Sequence, residues 1–431
     1  MTKQRLESWT GVVSSSPVET ITLQSTEENP FTHTHASLLA RGYGSSYGDI
    51  CLPTGKAVLC TGLNRIRWFN NQTGIICAEA GVRLGDLVAV TISQGWTLPV
   101  LPGTEQVSIG GAIASDIHGK SHHWAGTFGR WVRRVGLIRS DGRIECSPTE
   151  NAELFGATIG GLGLTGIITW AELQLVPCVS PWMECHDVPF SSLDEYVERS
   201  AELERSFDYV VAWCDLSRRG VITGIIHASR FFSSPSAKPE PKRKVPLIEH
   251  IPRLPFRLLS RPIVWLASRV RHMVQRPQRI AHYRSVMFPL DGLPWNRLFG
   301  PGGFYQLHAV LPPAQRLDAI AALCQHLWQA RVALPLCVLK NFSALRSPGL
   351  LSFPMEGTSI AVDVPNTPRA RQVLETIIAD IATIGGRIYP AKDMLLNAEQ
   401  FQRMYLNWRL LEHYRDRRCS SQFWERVTRQ Q

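Results

Sequence analysis

The chain of 431 residues is 44% hydrophobic and 19% charged, and it contains 33 glycines and 28 prolines. This composition excludes a disordered chain, and no run approaches the roughly 18 apolar residues of a membrane-spanning helix, so we expect a loop-rich α/β or α+β protein of about two domains. The ten cysteines form no CxxC pair and the first residues lack the apolar core of a signal peptide. We therefore expect a cytoplasmic protein with reduced thiols.

Up to about residue 181 the chain is dense in glycine and in short β-like runs. Strands are predicted at 57–60 and 74–80, because each run is bounded by glycine, asparagine or proline. The segment 84–93 is helical in period, since its apolar residues recur on one face, and Gly95 supplies a stop.

The segment 41–49, RGYGSSYGD, combines three glycines with two serines. Glycines let backbone N–H groups converge on a pyrophosphate, and hydroxyl groups add further donors. The loop is therefore a candidate phosphate-binding element. An ordinary surface loop is the alternative that its composition leaves open.

The segment 161–166, GLGLTG, fits the GxGxxG fingerprint of dinucleotide-binding proteins. That fingerprint requires a helix after it, whereas residues 167–175 alternate between apolar and more polar types, which predicts a strand. The sequence therefore disfavours a Rossmann fold, although the turn can still pack against a nucleotide.

Three histidines, His118, His122 and His123, fall within six positions. His118 and His122 would share a face only on a helix, and Gly119 argues against one. No cysteine or carboxylate completes a set of ligands at metal-binding spacing. We therefore predict no metal site and regard His118, beside a glycine-rich loop, as a candidate for flavin or substrate contact.

Beyond about residue 182 the glycine density falls and a second region begins. Helices are predicted near 192–205 and 314–330, and strands near 210–214, 304–310 and 360–364, from their hydrophobic periods.

A basic, proline-rich insertion at about 235–285 carries the whole surplus of positive charge. Between Lys238 and Arg284 it has twelve basic and two acidic residues, against a net charge of +10 for the chain. Ser260 is expected to cap a helix that starts at Arg261 and has one apolar face. Such a helix is typical of proteins that lie on an anionic bilayer, and a solvated loop that covers a pocket is the alternative. The apolar positions are Ile263, Leu266, Ala267, Val270, Met273 and Val274.

Several of these motifs together resemble one known family. The runs 41–49, 101–123 (LPGTEQVSIGGAIASDIHGKSHH) and 160–168 (GGLGLTGII) are similar to the FAD-binding domain of the vanillyl-alcohol-oxidase superfamily. Within it, the sequence most resembles the decaprenylphosphoryl-β-D-ribose 2′-oxidase family. Further similar runs follow in the same order through nearly the whole chain: FPLDGLPWNRLFGPGGFYQ (288–306), LKNF (339–342), SFP (352–354) and GGRIYPAKD (385–393).

The resemblance implies an α+β fold of two domains. A PCMH-type FAD-binding domain would cover 1–181 and be completed by 387–431, and a substrate-binding domain with an antiparallel sheet and helices would cover 182–386. It implies FAD bound without a covalent link. The implied reaction oxidises the ribose 2′-hydroxyl of a lipid-linked sugar phosphate to a ketone, which a separate NAD(P)H-dependent short-chain ketoreductase reduces to give arabinose. The expected partners are that sugar phosphate, that reductase and the inner face of a membrane, with no nucleic acid.

Positions that match the family's motifs carry the implied roles. Lys392, Tyr389, His118 and Gln306 would serve catalysis, and Lys392 would handle the proton or the phosphate, because a partly buried lysine can have a pKa near neutrality. The substrate pocket would contain Trp213, Lys340, Ser359, Ala361 and His308. The residues implied in FAD binding, besides His118 and Lys392, are Arg41, Gly42, Gly44, Ser45, Ser46, Tyr47, Pro102, Gly103, Thr104, Ser108, Gly110, Gly111, Ala112, Ser115, Gly119, Gly163, Gly166, Ile167 and Ile168.

Four positions depart from the family's pattern. The active-site cysteine, which in the family captures nitroaromatic inhibitors after their reduction in the site, corresponds to Ala361. Its neighbouring asparagine is Ser359, a second glutamine is His308, and a tyrosine is Met287. Because the pocket wall changes, a soluble sugar, an aldonolactone or a natural-product glycoside is an alternative substrate. A second alternative is a basic membrane- or nucleic-acid-binding protein without enzyme activity, which needs the glycine loops to be purely structural.

Overall fold

The computed structural model of the protein describes residues 2–233, 254–274 and 276–429. The ten cysteines, all within these residues, are unpaired, and nine of them are buried, as the sequence predicts. Among the described helices, none combines the length and the apolar composition needed to cross a bilayer.

The strands before residue 178 build two small sheets and a ribbon. They are β1 (Thr2–Gln4), β2 (Val18–Thr22), β3 (Leu38–Arg41), β4 (Lys56–Leu59), β5 (Ile66–Asn70), β6 (Ile75–Glu79), β7 (Trp96–Thr97), β8 (Val132–Arg139), β9 (Gly142–Cys146), β10 (Ile167–Gln174) and β11 (Val176–Pro177). The four-stranded sheet has the order β1-β2-β4-β3, with β4 parallel to both of its neighbours. The five-stranded sheet is antiparallel in the order β5-β6-β10-β8-β9, and β7 pairs with β11.

Four short helices belong to this part: α1 (Leu84–Ile92), α2 (Ile109–Ala114), α3 (His122–Ala125) and α4 (Ala152–Thr158). The predicted helix at 84–93 is confirmed as α1, and the predicted strand after the GxGxxG turn is confirmed as β10. A Rossmann unit needs a helix at that position. The strand found there supports the prediction against a Rossmann fold.

The second region is built on one eight-stranded sheet in which all pairs are antiparallel. Its order is β15-β12-β14-β13-β17-β18-β16-β19, and the central strand β18 is buried along its whole length. The strands are β12 (Trp182–Phe190), β13 (Tyr209–Asp215), β14 (Thr223–Phe231), β15 (Gln278–His282), β16 (Phe304–Leu311), β17 (Leu336–Phe342), β18 (Gly357–Pro365) and β19 (Arg387–Ile388).

Helices cover one face of this sheet and the first region covers the other. Side chains of β13, β16 and β18 pack with two long helices in the largest apolar cluster, while Met183, Cys185 and Tyr209 belong to a second cluster with residues of the first region. The helices after β12 are α5 (Leu193–Leu203), α6 (Arg261–Val274), α7 (Tyr283–Met287), α8 (Arg316–Gln329), α9 (Pro368–Thr383), α10 (Ala398–Met404), α11 (Trp408–Tyr414) and α12 (Gln422–Thr428). Of these, α6 and α7 lie on the face that the first region covers, because Arg271 of α6 contacts Trp213 and the α7 residues Tyr283 and Met287 belong to the second cluster.

The basic insertion is less separate from the fold than the sequence predicted. Its last residues form the edge strand β15, which pairs with β12 of the eight-stranded sheet. The predicted helix from Arg261 is confirmed as α6. The first part of the insertion, 234–253, lies outside the described residues.

Candidate active site

Three glycine-rich loops, 41–48, 102–119 and 160–166, meet at one surface. A methyl group on Gly42 would lie 2.4 Å from the Ser108 hydroxyl, so only a glycine fits between these two loops. The amide of Leu162 donates to the carbonyl of Ala114 over 2.8 Å, which joins the third loop to the end of α2. The three glycine-rich segments are therefore in contact with one another, and glycine-rich backbone of this kind can approach a pyrophosphate closely.

Arg41 supports the first loop from below. Its guanidinium donates to the carbonyl of Glu7 over 2.7 Å and to that of Cys51 over 2.8 Å. Gly44 has a φ of +69°, and a methyl group there would lie 2.2 Å from this guanidinium. The side chain of Arg41 thus holds the shape of the loop. The left-handed backbone at Gly44, together with the closeness of the guanidinium, favours glycine at that position.

The loop at 102–105 is fixed by the turn at 290–291, which belongs to the run 288–306 that resembles the family. The Asp291 carboxylate accepts from the Thr104 hydroxyl over 2.5 Å and from the amide of Glu105 over 2.7 Å. The carbonyl of Gly103 accepts from the amide of Leu290. These contacts orient the backbone of the loop that leads into α2.

The three neighbouring histidines diverge. Nε2 of His123 donates to the carbonyl of Phe207 over 3.0 Å, whereas His118 is buried between aromatic rings. The ring centroid of His118 lies 5.0 Å from that of His308 and 5.2 Å from that of Tyr389. Burial, and secondarily the charge of Lys340, hold the pKa of His118 well below its usual value. Nδ1 of this neutral imidazole has no hydrogen-bond partner among the described residues, so it is available to a bound molecule.

Two lysines face this cluster. Burial lowers the pKa of Lys392 to about 7, against the opposing effect of the Asp363 carboxylate, and the charge of Lys340 lowers it further. Burial also lowers the pKa of Lys340 to about 8. The Lys392 ammonium lies 3.0 Å from the centroid of the Tyr47 ring. The ring of Tyr47 therefore contacts the candidate base.

Gln306 reaches the site through a buried carboxylate that sequence reasoning missed. Its amide nitrogen donates to Asp363 over 2.6 Å, and the Trp295 indole donates to the other oxygen of Asp363 over 2.6 Å. Burial raises the pKa of Asp363 to about 6. No motif in the sequence signals this contact, because it depends on the β16–β18 register.

Tyr389 holds two parts of the site together. Its hydroxyl donates to the carbonyl of Ser115 over 3.0 Å, and its ring stacks on Phe353 at 4.8 Å. Burial raises the pKa of Tyr389 above its usual value. The hydroxyl is therefore neutral and already engaged, which suits a positioning role for this residue.

Three of the departures from the family's pattern are neighbours in space. His308 lies directly opposite Ala361 across the β16–β18 pair, and its Nε2 is 3.0 Å from the Ser359 hydroxyl. Burial, and then Lys340, hold the pKa of His308 well below its usual value. Where the family has glutamine this chain has His308, and its two neighbours are also small here: the serine hydroxyl of Ser359, which bonds it, and the methyl group of Ala361.

Lys120 and Trp213 lie at the far side of the site. The Lys120 ammonium donates to the carbonyl of Val286, and burial and the charge of Lys340 lower its pKa to about 7. Sequence reasoning missed Lys120, although it directly follows Gly119 in the candidate cofactor loop. The Trp213 ring is covered by the guanidinium of Arg271 on α6, at 4.5 Å from its centroid.

The turn that carries Lys392 is anchored by the last described helix. The Arg426 guanidinium of α12 donates to Asp49 over 2.8 and 2.9 Å and to Asp393 over 3.0 Å. A methyl group on Gly48 would lie 1.8 Å from the carbonyl oxygen of Asp393, so the first glycine loop and this turn are in direct contact.

The residues present fit FAD. Glycine-rich segments packed against one another can hold its pyrophosphate, and the buried Nδ1 of His118, which has no partner among the described residues, is available to the flavin or to a substrate. Residues 31–147 match the family model of the FAD binding domain.

Known relatives agree with this assignment. The chain is 32% identical, over 389 residues, to decaprenylphosphoryl-β-D-ribose oxidase of Mycolicibacterium smegmatis, which covers 85% of this chain and 83% of the relative. It is 29% identical, over 357 residues, to an uncharacterised protein in the mprA 5′ region of Streptomyces coelicolor, covering 79% of this chain and 95% of the relative. A putative D-arabinono-1,4-lactone oxidase of Neurospora crassa is 28% identical over 186 residues, covering 42% of this chain and 33% of the relative.

The family model and the extent of the first similarity identify the cofactor as FAD and the protein as an FAD-dependent oxidoreductase. The chain belongs to the family of decaprenylphosphoryl-β-D-ribose oxidase.

Proposed function

We propose that the protein oxidises the 2′-hydroxyl of a polyprenylphosphoryl-β-D-ribose to a ketone, as the first half of an epimerisation to arabinose. One observation carries the proposal: the charges of Lys340 and Lys392 both act on the buried His118 imidazole, and the Lys392 ammonium contacts the ring of Tyr47 in the first glycine loop, so a candidate base lies next to a candidate cofactor loop. The similarity to decaprenylphosphoryl-β-D-ribose oxidase supports the choice of substrate.

Oxidation of a secondary alcohol removes a hydride from carbon and a proton from oxygen. Bound FAD supplies the hydride acceptor. This chain has to position the C–H bond and accept the proton. Lys392 accepts it, because an amine with a pKa of about 7 is substantially neutral at physiological pH.

The other residues orient the sugar and exclude water. In this proposal Gln306, held by Asp363, contacts one ring hydroxyl, and Lys340 contacts a second. His118 offers the unpartnered Nδ1 to the ligand. Tyr389 acts through others: its bond to the Ser115 carbonyl fixes the loop that carries His118.

The test is anaerobic reduction of the bound flavin by the substrate, which is measured as the loss of absorbance near 450 nm. A panel of polyprenylphosphoryl sugars and free sugars is compared at equal concentration. We expect rapid bleaching by farnesylphosphoryl-β-D-ribose and little by free ribose. Equal bleaching by a free sugar or an aldonolactone would overturn the proposed substrate.

A specific observation favours a second candidate, a soluble sugar or aldonolactone. His308 and Ser359 replace the family's glutamine and asparagine as a bonded pair at the pocket wall, next to Ala361. The 28% identity to a putative D-arabinono-1,4-lactone oxidase is compatible with this reading. The same bleaching panel separates the two.

The proposed product implies a second enzyme. A 2′-ketone is a substrate for an NAD(P)H-dependent short-chain reductase, which delivers hydride from the opposite face of the sugar. The two activities together would invert the carbon centre.

The α6 helix supports a membrane partner for this reaction. Val264 and Ser268 are buried on its inner side, whereas Leu266 and Met273, on the outer side, are 58% and 83% exposed. The helix therefore turns apolar side chains outward, with Arg269 at 5.2 Å from the exposed Trp265 ring. Apolar residues bordered by arginines match the charge and polarity of an anionic bilayer surface. We propose that α6 docks there, where a polyprenyl-linked substrate resides.

A further inference from the structure

A basic cavity of about 320 Å³ lies between α6 and the sheet. Arg271 on α6, Arg276 just beyond it and Arg279 on β15 contribute guanidinium groups to its wall. His227 on β14 and Asp187 on β12 form its floor. Nothing in the proposed proton transfer uses these residues.

The floor of the cavity is a fixed hydrogen-bond network. Asp187 contacts Nδ1 of His227 over 2.7 Å and accepts from Arg279 over 2.7 Å. Arg271 lies 2.9 Å from Nε2 of His227. Because arginine only donates, Nε2 accepts and the ring proton is on Nδ1, directed at Asp187.

Positive charge in the cavity exceeds negative charge. Among the described lining residues, three guanidinium groups face one carboxylate, and Asp187 is already bonded to Arg279. Guanidinium groups match the oxygens of a phosphate in pairs. Ile225 and Val274 add apolar surface beside them, which suits the chain attached to a lipid phosphate.

The cavity opens on the same face of the sheet as the active site. Trp213 pairs with Ile225 on one side and with Val338 on the other. Side chains two residues apart on a strand share a face, so His227 and Lys340 lie on the face of Trp213. Only β13 separates their strands, which places β14 and β17 roughly 10 Å apart.

Lys120 continues the positive charge between the two places. Its carbonyl accepts from Val210 of β13 over 2.9 Å. The charges of both Lys340 and Arg279 act on its ammonium group. Lys120 is therefore close enough to both the active site and the cavity for a charge in each to act on it.

We propose that the cavity under α6 binds the phosphate group of the lipid-linked sugar, and so selects a phosphorylated substrate over a free sugar. This inference rests on the proposed function for the identity of the substrate. The phosphate chemistry itself is shared with inorganic phosphate and with phospholipid headgroups, so the experiment includes all three sources.

The experiment titrates the FAD-loaded enzyme with farnesyl phosphate, inorganic phosphate and phosphatidylglycerol vesicles, and measures KM for farnesylphosphoryl-β-D-ribose. Arg276→Gln removes an exposed guanidinium, and Val274→Glu adds a negative charge at the mouth. Arg371→Gln, which removes an exposed arginine from an i,i+4 pair on α9, is the control.

Each of the two cavity variants should weaken farnesyl phosphate binding about tenfold or more, the scale of one charge-assisted hydrogen bond, and raise KM similarly with little change in kcat. The flavin spectrum and the control should be unchanged. Unaltered farnesyl phosphate affinity in both variants overturns the proposal, as does an effect confined to vesicles, which would assign the cavity to a headgroup. If no phosphorylated ribose is oxidised while farnesyl phosphate still binds wild type and not the variants, the proposed function fails and the phosphate site stands.

Discussion

The Lys392 ammonium lies 3.0 Å from the centroid of the Tyr47 ring, while the nearest carboxylate that acts on it, Asp363, is occupied by Gln306 and Trp295. An aromatic face is a weaker partner for a positive charge than a carboxylate. This arrangement keeps Lys392 in place without forcing it to stay protonated, which is what a base in a hydride-transfer enzyme requires.

The pH–rate profile should therefore have an acidic limb set by Lys392. A lysine whose pKa is lowered to about 7 is protonated below that pH and cannot accept a proton, so the rate of flavin reduction should rise with pH and level off above about 7. Lys392→Arg keeps the charge and loses the base, and it should reduce the rate by about 100-fold or more. Lys56→Arg, in a surface ion pair with Glu19, is the control. Stopped-flow measurement of flavin bleaching gives the rate for each variant. If Lys392→Arg reduces the flavin at the wild-type rate, Lys392 is not the base and contributes only its charge.

FAD should be bound without a covalent link. Acid precipitation of the purified protein should release all of the yellow colour into the supernatant. Mass spectrometry of the pellet should give the mass of the unmodified chain. Flavin that stays with the precipitated polypeptide would contradict this prediction.

Ala361 should make the enzyme insensitive to covalent inhibition. In the family that the sequence resembles, nitroaromatic inhibitors are captured by a cysteine at this position, and a methyl group is not a nucleophile. We expect no adduct on the wild-type protein after turnover with such a compound and an adduct on Ala361→Cys, read by intact mass. The control Ala309→Cys lies on the same β16–β18 pair but points to the opposite face of the sheet. An adduct on the wild-type chain would refute the prediction.

The outer face of α6 should bind anionic vesicles. The wild type should sediment with phosphatidylglycerol vesicles and be released at high salt, because each basic residue near the surface contributes about 1 kcal/mol. Leu266→Glu should abolish sedimentation, whereas Leu410→Glu, at a similarly exposed leucine on α11, should not. Both variants should oxidise a short-chain soluble substrate at the wild-type rate. Unchanged sedimentation of Leu266→Glu would exclude α6 as the docking surface.

Local patterns were enough to predict the glycine loops, the strand after the GxGxxG turn and the α6 helix, because each depends on residues close in sequence. The resemblance added the residues that converge on His118. Neither indicated that Asp363 would bond Gln306 and Trp295, or that Lys120 would sit between Lys340 and Arg279. Those contacts depend on strand register and on loop packing across many residues, and periodicity within a strand carries no information on its partner.

The boundary of the basic insertion shows the same limit. Residues 278–282 read as part of a charged, proline-rich stretch, yet they form an edge strand beside β12. The charge of Arg279 is tolerated there because its guanidinium is bonded to the Asp187 carboxylate of β12. Composition marked the segment as unusual and could not show that its last residues pair with the sheet.

Arg426 has a consequence for how the enzyme is made. It bonds Asp49 across a separation of 377 residues and holds Asp393 next to Lys392, so the candidate base is set in place by a helix that leaves the ribosome after every strand that the structure describes. Contacts of such long sequence separation form slowly, since their loop-closure entropy must be overcome first. A nascent chain will therefore build its sheets early and complete its catalytic centre last.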